Sequence, residues 1–309
     1  RAFAAKAQVA VVGNEVGREA LSAWSDVWLY NARIDLLRSR VAELEPWVDR
    51  IEQLIASGVA NRSVLNAAER QIIDIKLEEE SLQASLLAAQ ERFRKYFGFK
   101  PGRVPAPPAV FSEGELLQLR STWQDAPALI AAAAELVATE SDVAASEARM
   151  KPRVMLSTGL NSPISRNDEE YITAGIVVEH SFFDGGRRRS QSDAVRERLQ
   201  SLRGDFEDTK STGQADLEAG LAQYKSIGSS LSLLNKQIEV SREEADSIRN
   251  QLGSGQSNLQ QFVEAEIRNY QAQARRLQLL AEQRKIEASL GELTGKLSPQ
   301  LRVNIEDFL

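Results

Sequence analysis

Few residues of this 309-residue chain are of a type and spacing that could do chemistry. His180 is the single histidine and Glu179 its neighbour, but consecutive side chains of a strand point to opposite faces, so the two make no acid–base or metal pair. With no cysteine, disulfides, thiolate metal sites and cysteine nucleophiles are excluded. Gly253-Ser254-Gly255 is no phosphate loop: no Gly-Lys-Ser/Thr follows it and no strand precedes it, and a helix that must turn accounts for both glycines. Phe183-Asp-Gly-Gly-Arg-Arg-Arg189 could hold an anion. No basic stripe with interleaved aromatics surrounds it, and it reads as a strand-to-helix turn carrying interfacial arginines. Glu78 to Glu80 read as a solvated helix face with Glu79 turned toward an apolar seam. No catalytic residue, cofactor site or metal site emerges, and the expectation is a protein that is not an enzyme.

The elements that carry these residues are duplicated. Gly58 sits in Ile51-Glu-Gln-Leu-Ile-Ala-Ser-Gly58-Val-Ala-Asn61 and Gly255 in Ile248-Arg-Asn-Gln-Leu-Gly-Ser-Gly255-Gln-Ser-Asn258, a shift of 255 − 58 = 197 positions. The same shift carries Ala68-Glu69 onto Ala265-Glu266 and Gly98 onto Gly295. Helix, glycine turn, returning helix and closing glycine thus occur twice, with Asn61 and Asn258 placed as caps or first-turn residues of the return helices.

Each copy carries heptad seams. Val27, Tyr30, Ile34, Leu37, Val41, Leu44, Val48, Ile51 and Ile55 alternate spacings of three and four, and the return helix continues with Leu65, Ala68, Ile72, Ile75, Leu82, Leu86, Ala89, Phe93 and Tyr96. In the second copy Leu217, Tyr224, Leu231, Ile238, Ala245 and Leu252 are seven apart, with Ile227, Leu234 and Ile248 between them. Their partners are Val263, Ile267, Tyr270, Ala274, Leu277, Ala281 and Ala288. Two antiparallel coiled-coil hairpins follow. A single helix over residues 186–252 would be about 100 Å long, more than a compact domain needs. Pro46 lies inside the first helix and predicts a kink there, without a break, because the seam passes through in register.

Composition agrees. Charged residues make up 27% and aromatics 6%, a long-helix make-up, and a formal charge of −6 gives no electrostatic case for nucleic acid. The longest apolar run, Ala126 to Ala134, is far short of the roughly 20 residues a spanning helix needs, so any membrane crossing must use strands.

Between the copies, Gly98-Phe-Lys-Pro-Gly-Arg-Val-Pro-Ala-Pro-Pro108 is a crossing segment, and an Ala-rich helix is expected from about Ala126 to Met150, ended by Lys151-Pro152. Residues 153–160 and 171–183 read as two strands joined by a polar turn over 161–170. Ile172, Ala174, Ile176, Val178 and Phe182 share one face of the second strand, and Tyr171, Thr173, Gly175 and Glu179 the other. That alternation suits a barrel strand, apolar toward lipid and polar toward a lumen. A two-stranded hairpin does not stand alone, so further strands must complete it.

With these elements in place the chain resembles the TolC-like outer-membrane efflux and secretion channels. The residues that carry the resemblance are Gly58-Val-Ala-Asn-Arg-Ser-Val-Leu-Asn-Ala-Ala-Glu69 and Gly255-Gln-Ser-Asn-Leu-Gln-Gln-Phe-Val-Glu-Ala-Glu266, similar to the family's two periplasmic hairpin tips. Lys151-Pro-Arg-Val-Met-Leu-Ser and Val178-Glu-His-Ser-Phe-Phe-Asp-Gly-Gly-Arg-Arg188 are similar to the flanks of a barrel hairpin, and Leu290-Gly-Glu-Leu-Thr-Gly295 to the return of the last long helix. The resemblance implies a mostly α protein of long antiparallel coiled-coil hairpins, the protomer of an α-barrel, whose short β-hairpin contributes to a membrane β-barrel. The expected divisions are a first-repeat hairpin at 1–97, a Pro-rich equatorial crossing at 98–125, an equatorial helix at 126–152, the β-hairpin at 153–183, a second-repeat hairpin at 184–295 and an equatorial segment at 296–309.

The same resemblance implies a homotrimeric exit duct of a tripartite efflux or type I secretion system. Its partners would be a periplasmic adaptor, through it an inner-membrane pump, and outer-membrane lipid, with no nucleic acid. The location implied is the outer membrane of a Gram-negative bacterium with a periplasmic helical extension. Adaptor-docking tips map onto Gly58, Val59, Asn61, Ser63, Gly255, Gln256, Ser257 and Asn258, and the aperture-lining positions onto Gln261 and Glu264. The position of the family's gate arginine falls on Ser257. One strand pair stands where the family pattern has two, and residue 1 already lies in an amphipathic pattern, so the chain is expected to be a truncated or processed form. The alternative is a coiled-coil interaction protein such as an adaptor's own helical hairpin, against which the β-hairpin between two helical hairpins argues.

Overall fold

The structure is a computed structural model that describes residues 2–58, 62–161, 171–180, 183–253 and 259–297. Its elements in order are α1 (Ala2–Ala56), α2 (Arg62–Phe97), α3 (Glu113–Thr122), α4 (Pro127–Ala148), β1 (Arg153–Asn161), β2 (Tyr171–Glu179), α5 (Arg187–Gly253) and α6 (Leu259–Thr294). They group into two compact units, one containing Pro127–Thr212 and the other Val9–Ala126 with most of Gly213–Arg302.

In the larger unit the described heptad positions are buried or half-buried. Ile34, Leu37 and Leu44 of α1 meet Ile75 and Leu82 of α2. Toward the other end of that pair, Ala23 and Val27 meet Ala89 and Phe93. The order of these contacts makes α1 and α2 antiparallel. Antiparallel pairing of α5 with α6 shows in Glu244 accepting from Arg268 at 2.9 Å and Asn235 from Arg276 at 2.8 Å. Glu79, the one acidic residue on the α2 seam, accepts a hydrogen bond from Arg38 Nε at 2.8 Å, which neutralises it beside the apolar contacts. The helix runs through Pro46 without interruption, although proline gives up a backbone donor there.

The two repeats also pack on each other. Tyr270 of α6 joins the α1–α2 core, and Phe262 of α6 is buried among Trp47, Val48, Ile55, Leu65 and Ile248, its ring 4.6 Å from that of Trp47. Charge follows the same interface. Asp26 of α1, 4% exposed, pairs with Lys285 of α6 and with Arg92 of α2 at 3.1 Å.

The crossing contains a helix that periodicity does not announce, α3, held by a capping box. Ser112 Oγ accepts from the Glu115 backbone N–H at 3.4 Å, and the Glu115 carboxylate accepts from the Ser112 N–H at 2.8 Å. Extended Ala126 then leads into Pro127 at the first position of α4, where a missing N–H costs nothing. Arg120 Nε and Nη2 each donate to a Glu218 carboxylate oxygen at 2.7 Å, a two-point bond from α3 to α5.

In the smaller unit α4 and α5 lie antiparallel, Glu147 paired with Arg196 at 2.7 Å and Glu140 with Arg203 at 3.3 Å. β1 and β2 form a two-stranded antiparallel sheet in which Val154 opposes Val178, Leu156 opposes Ile176 and Thr158 opposes Ala174. The expected extension of the second strand to Phe183 is corrected: β2 ends at Glu179. Phe182, like most of the turn at 161–170, lies outside the described residues. Beyond it, Gly185 and Gly186 have φ +66° and +82°, and both oxygens of Asp184 accept backbone N–H groups, from Gly186 and Arg188 at 3.1 Å. The Asp-Gly-Gly sequence is thus the turn and cap that start α5.

Candidate functional site

The tip of the first hairpin is described up to Gly58. The Gly58 N–H donates to Ile55 O at 3.0 Å as α1 ends, and its φ of +74° is in the left-handed region that suits glycine. Apart from its chain neighbours, no atom of the described residues lies within 4 Å of where a Cβ would stand, so conformation and not lack of space favours glycine here. Val59 and Asn61 lie outside the described residues, as do Gly255, Gln256, Ser257 and Asn258 of the second tip. Ser63 is in the first turn of α2.

On α6, Gln261 and Glu264 are exposed, while Phe262, Val263, Ala265 and Glu266 are buried. Three positions apart on a helix, the two expected aperture residues share one face, opposite the face that holds the helix to its neighbours. The structure therefore brings Gln261 and Glu264 together on a wet surface.

Behind that surface is a charged cluster that sequence reasoning missed. Glu266, 2% exposed, pairs with Arg40 of α1 and accepts from Arg249 Nη2 of α5 at 2.9 Å. Arg40, 6% exposed, also reaches Glu43 at 3.3 Å. Its Nη2 is buried with no hydrogen-bond partner among the described residues. One turn along, the hydroxyl of Tyr270 is pushed upward in pKa by burial, with Glu78 adding to the shift. The sequence signal was the repeated Ala-Glu pair: Glu69 of the first copy is exposed, whereas Glu266 of the second is buried and holds two arginines.

Among the described residues no group of three or more His, Asp or Glu side chains could hold a metal ion, and no helix is long and apolar enough to cross a membrane. Both faces of the β-hairpin are exposed, and Val154, Leu156, Ile172, Ile176 and Val178, which share one of them, are each more than 60% exposed. Four of them pair directly across the sheet, Val154 with Val178 and Leu156 with Ile176. His180 follows β2 and is exposed.

The family model for outer membrane efflux proteins matches residues 119–296, more than half of the chain. The chain belongs to the outer membrane efflux protein family. Its fold is shared with the channel VceC of Vibrio cholerae at TM-score 0.79 and 14% identity, over 95% of this chain and 72% of that one. The outer-membrane channel OprN matches at TM-score 0.76 and 20% identity, over 95% and 68% of the two chains. The open state of the MtrE channel of Neisseria gonorrhoeae matches at 0.75 and 18%, over 95% and 68%. No curated protein sequence matches the chain. Family membership makes this protein an efflux channel subunit of the outer membrane, with its long helical hairpins as the periplasmic extension. The adaptor-hairpin alternative falls with it.

Proposed function

We propose that the chain is the passive exit-duct subunit of a tripartite efflux or type I secretion system, working as a homotrimer whose hairpin tips dock on a periplasmic adaptor and through it on an inner-membrane pump. The observation that carries this reading is the β-hairpin: a wholly exposed apolar face set in register across two strands, in a chain whose described helices are all too polar to cross a bilayer. Lipid would cover such a face, with the polar face toward water in a closed barrel. Polar helices with narrow apolar seams suit a periplasmic duct, whose outer wall and lumen are both wet. The duct does no chemistry. Energy and selectivity come from the pump and adaptor.

In this reading Gly58, Val59, Asn61 and Ser63 with Gly255, Gln256, Ser257 and Asn258 make the adaptor contacts, and Gln261 with Glu264 lines the aperture. The division into first-repeat hairpin, crossing, equatorial helix, β-hairpin and second-repeat hairpin assigns docking to one end of each helical hairpin and membrane contact to residues 153–183. The test is in-cell crosslinking from the tips with co-purification of the partner, alongside conductance of the purified trimer in a planar bilayer. A protein that carbonate strips from outer membranes, or that conducts nothing as an intact trimer, would refute the duct.

A further inference from the structure

Where α4 passes into β1 and β2 returns to α5, the smaller unit has a cavity of about 210 Å³ that the exit duct does not require. Arg149, Lys151, Arg153, Arg187 and Arg188 line it, with Glu179 as the one carboxylate in the lining. Arg188 is shared with Asp184 at 3.5 Å. The other four cations have no acidic partner within 4.0 Å among the described residues. A turn that needed only to cap α5 is already supplied by Asp184 and two glycines. The basic run therefore has no structural work left to do, and like charges gathered without partners are unfavourable unless an anion joins them.

The ligand's chemistry follows from the donors and from what adjoins them. Guanidinium groups bind phosphate oxygens through paired N–H donors, and a phosphodiester accepts from several at once. The first residues of the exposed apolar sheet face, Val154 and Val178, come directly after Arg153 and directly before Glu179. A headgroup phosphate seated in the cavity would let its acyl chains run along Val154, Leu156, Ile176 and Val178. Basic residues at a membrane boundary draw anionic lipid.

We infer that this cavity is a binding site for the phosphate of an anionic phospholipid headgroup, one per protomer, at the periplasmic boundary of the membrane-facing hairpin. The site rests on the reading of the hairpin as lipid-facing. Glu179, opposite Arg153 across the sheet, opposes the anion and limits the affinity.

The test uses protein extracted from the outer membrane, with bound phosphatidylglycerol measured by mass spectrometry of the intact particle. Rebinding is measured to vesicles of phosphatidylethanolamine alone or mixed with phosphatidylglycerol. Each of Arg149→Gln, Lys151→Gln and Arg187→Gln should lower phosphatidylglycerol retention about fivefold at low salt. Glu179→Gln should raise it, a gain that damaged folding does not produce. Undiminished retention in the three glutamine variants would overturn the site. Binding of inorganic phosphate with no preference between the two vesicle types would overturn the lipid assignment and leave a free-anion site. Wild-type protein missing from the outer membrane would instead remove the underlying channel reading, an outcome visible before any lipid is measured.

Discussion

Glu266 on α6 is buried against Arg40 on α1, so the first helix of one repeat is tied by charge to the return helix of the other. Breaking a buried pair from one side costs about 3–5 kcal/mol, whereas replacing both partners with apolar residues is often close to neutral. The two single losses are not equivalent here. Glu266→Leu leaves Arg40 in the interior with only the exposed Glu43, while Arg40→Leu leaves Glu266 facing Arg249 at 2.9 Å. Glu266→Leu should therefore be the more destabilising, and Arg40→Leu combined with Glu266→Leu should recover much of the loss. Denaturant unfolding of the three variants measures this, and additive losses in the double variant would contradict it.

Close helix approach makes a second prediction. A Cβ on Gly213 of α5 would stand 2.2 Å from Trp123 Cη2, whose ring is buried. Gly204, on the same helix, has nothing within 4 Å. Removing a helical glycine should gain about 0.5–1 kcal/mol at Gly204→Ala. At Gly213→Ala the overpacked ring should turn this into a loss of about 1–3 kcal/mol. Thermal unfolding of the pair decides it; two variants of equal stability would show that Trp123 moves freely.

The third prediction is a pH dependence. Glu115 is held at a pKa of about 2, below its ordinary 4.5, first by the Lys296 hydrogen bond and then by the backbone and hydroxyl of Ser112. Its folded-state pKa is depressed, so its contribution is fully present above 4.5 and is lost as pH falls through about 2. The protection of α3 amides, taken relative to their intrinsic exchange rate at each pH, should fall as pH drops across that window. Glu115→Gln should abolish the change, leaving protection in α3 constant throughout.

Much of this fold is legible in the chain because local physics repeats. Ile34, Leu37, Leu44, Ile75 and Leu82 are core residues at the positions their heptad spacing demands, and Ile172 to Val178, whose apolar residues alternate, lie in β2. The capping box of α3 was also written, in Ser112 and Glu115, but a short helix between proline-rich segments has too few turns to show periodicity. Pairings such as Arg40 with Glu266 or Trp47 with Phe262 join residues more than two hundred positions apart. Heptad spacing says which face of a helix is buried but not which helix covers it. For the candidate site, one exposed face for Gln261 and Glu264 follows from a spacing of three, while the buried cluster behind it does not.

The sheet register sharpens the test of membrane contact. Ile176→Arg should cost about 2–4 kcal/mol near the bilayer midplane, and Leu156→Arg, directly opposite it, should cost the same. Thr173 is on the other face, its hydroxyl donating to Gly159 O at 3.3 Å, and Thr173→Arg should alter conductance while leaving trimer yield intact. Comparable trimer loss from all three would reverse or abolish the face assignment.

The last prediction separates docking from turning at Gly58. With φ at +74°, a leucine there strains the turn whatever it does to a partner, so loss of export in Gly58→Leu alone would not implicate the adaptor. Asparagine tolerates the left-handed region far better than other side chains, and the space around the missing Cβ is open. Gly58→Asn should therefore keep the hairpin and the trimer. If the adaptor needs the bare backbone for close approach, the added side chain should lower export and tip crosslinking together, with trimer yield and membrane insertion unchanged. Full crosslinking and export in a correctly assembled Gly58→Asn protein would leave this glycine with a turning role alone, and would move the search for the docking contact to Val59, Asn61 and Ser63.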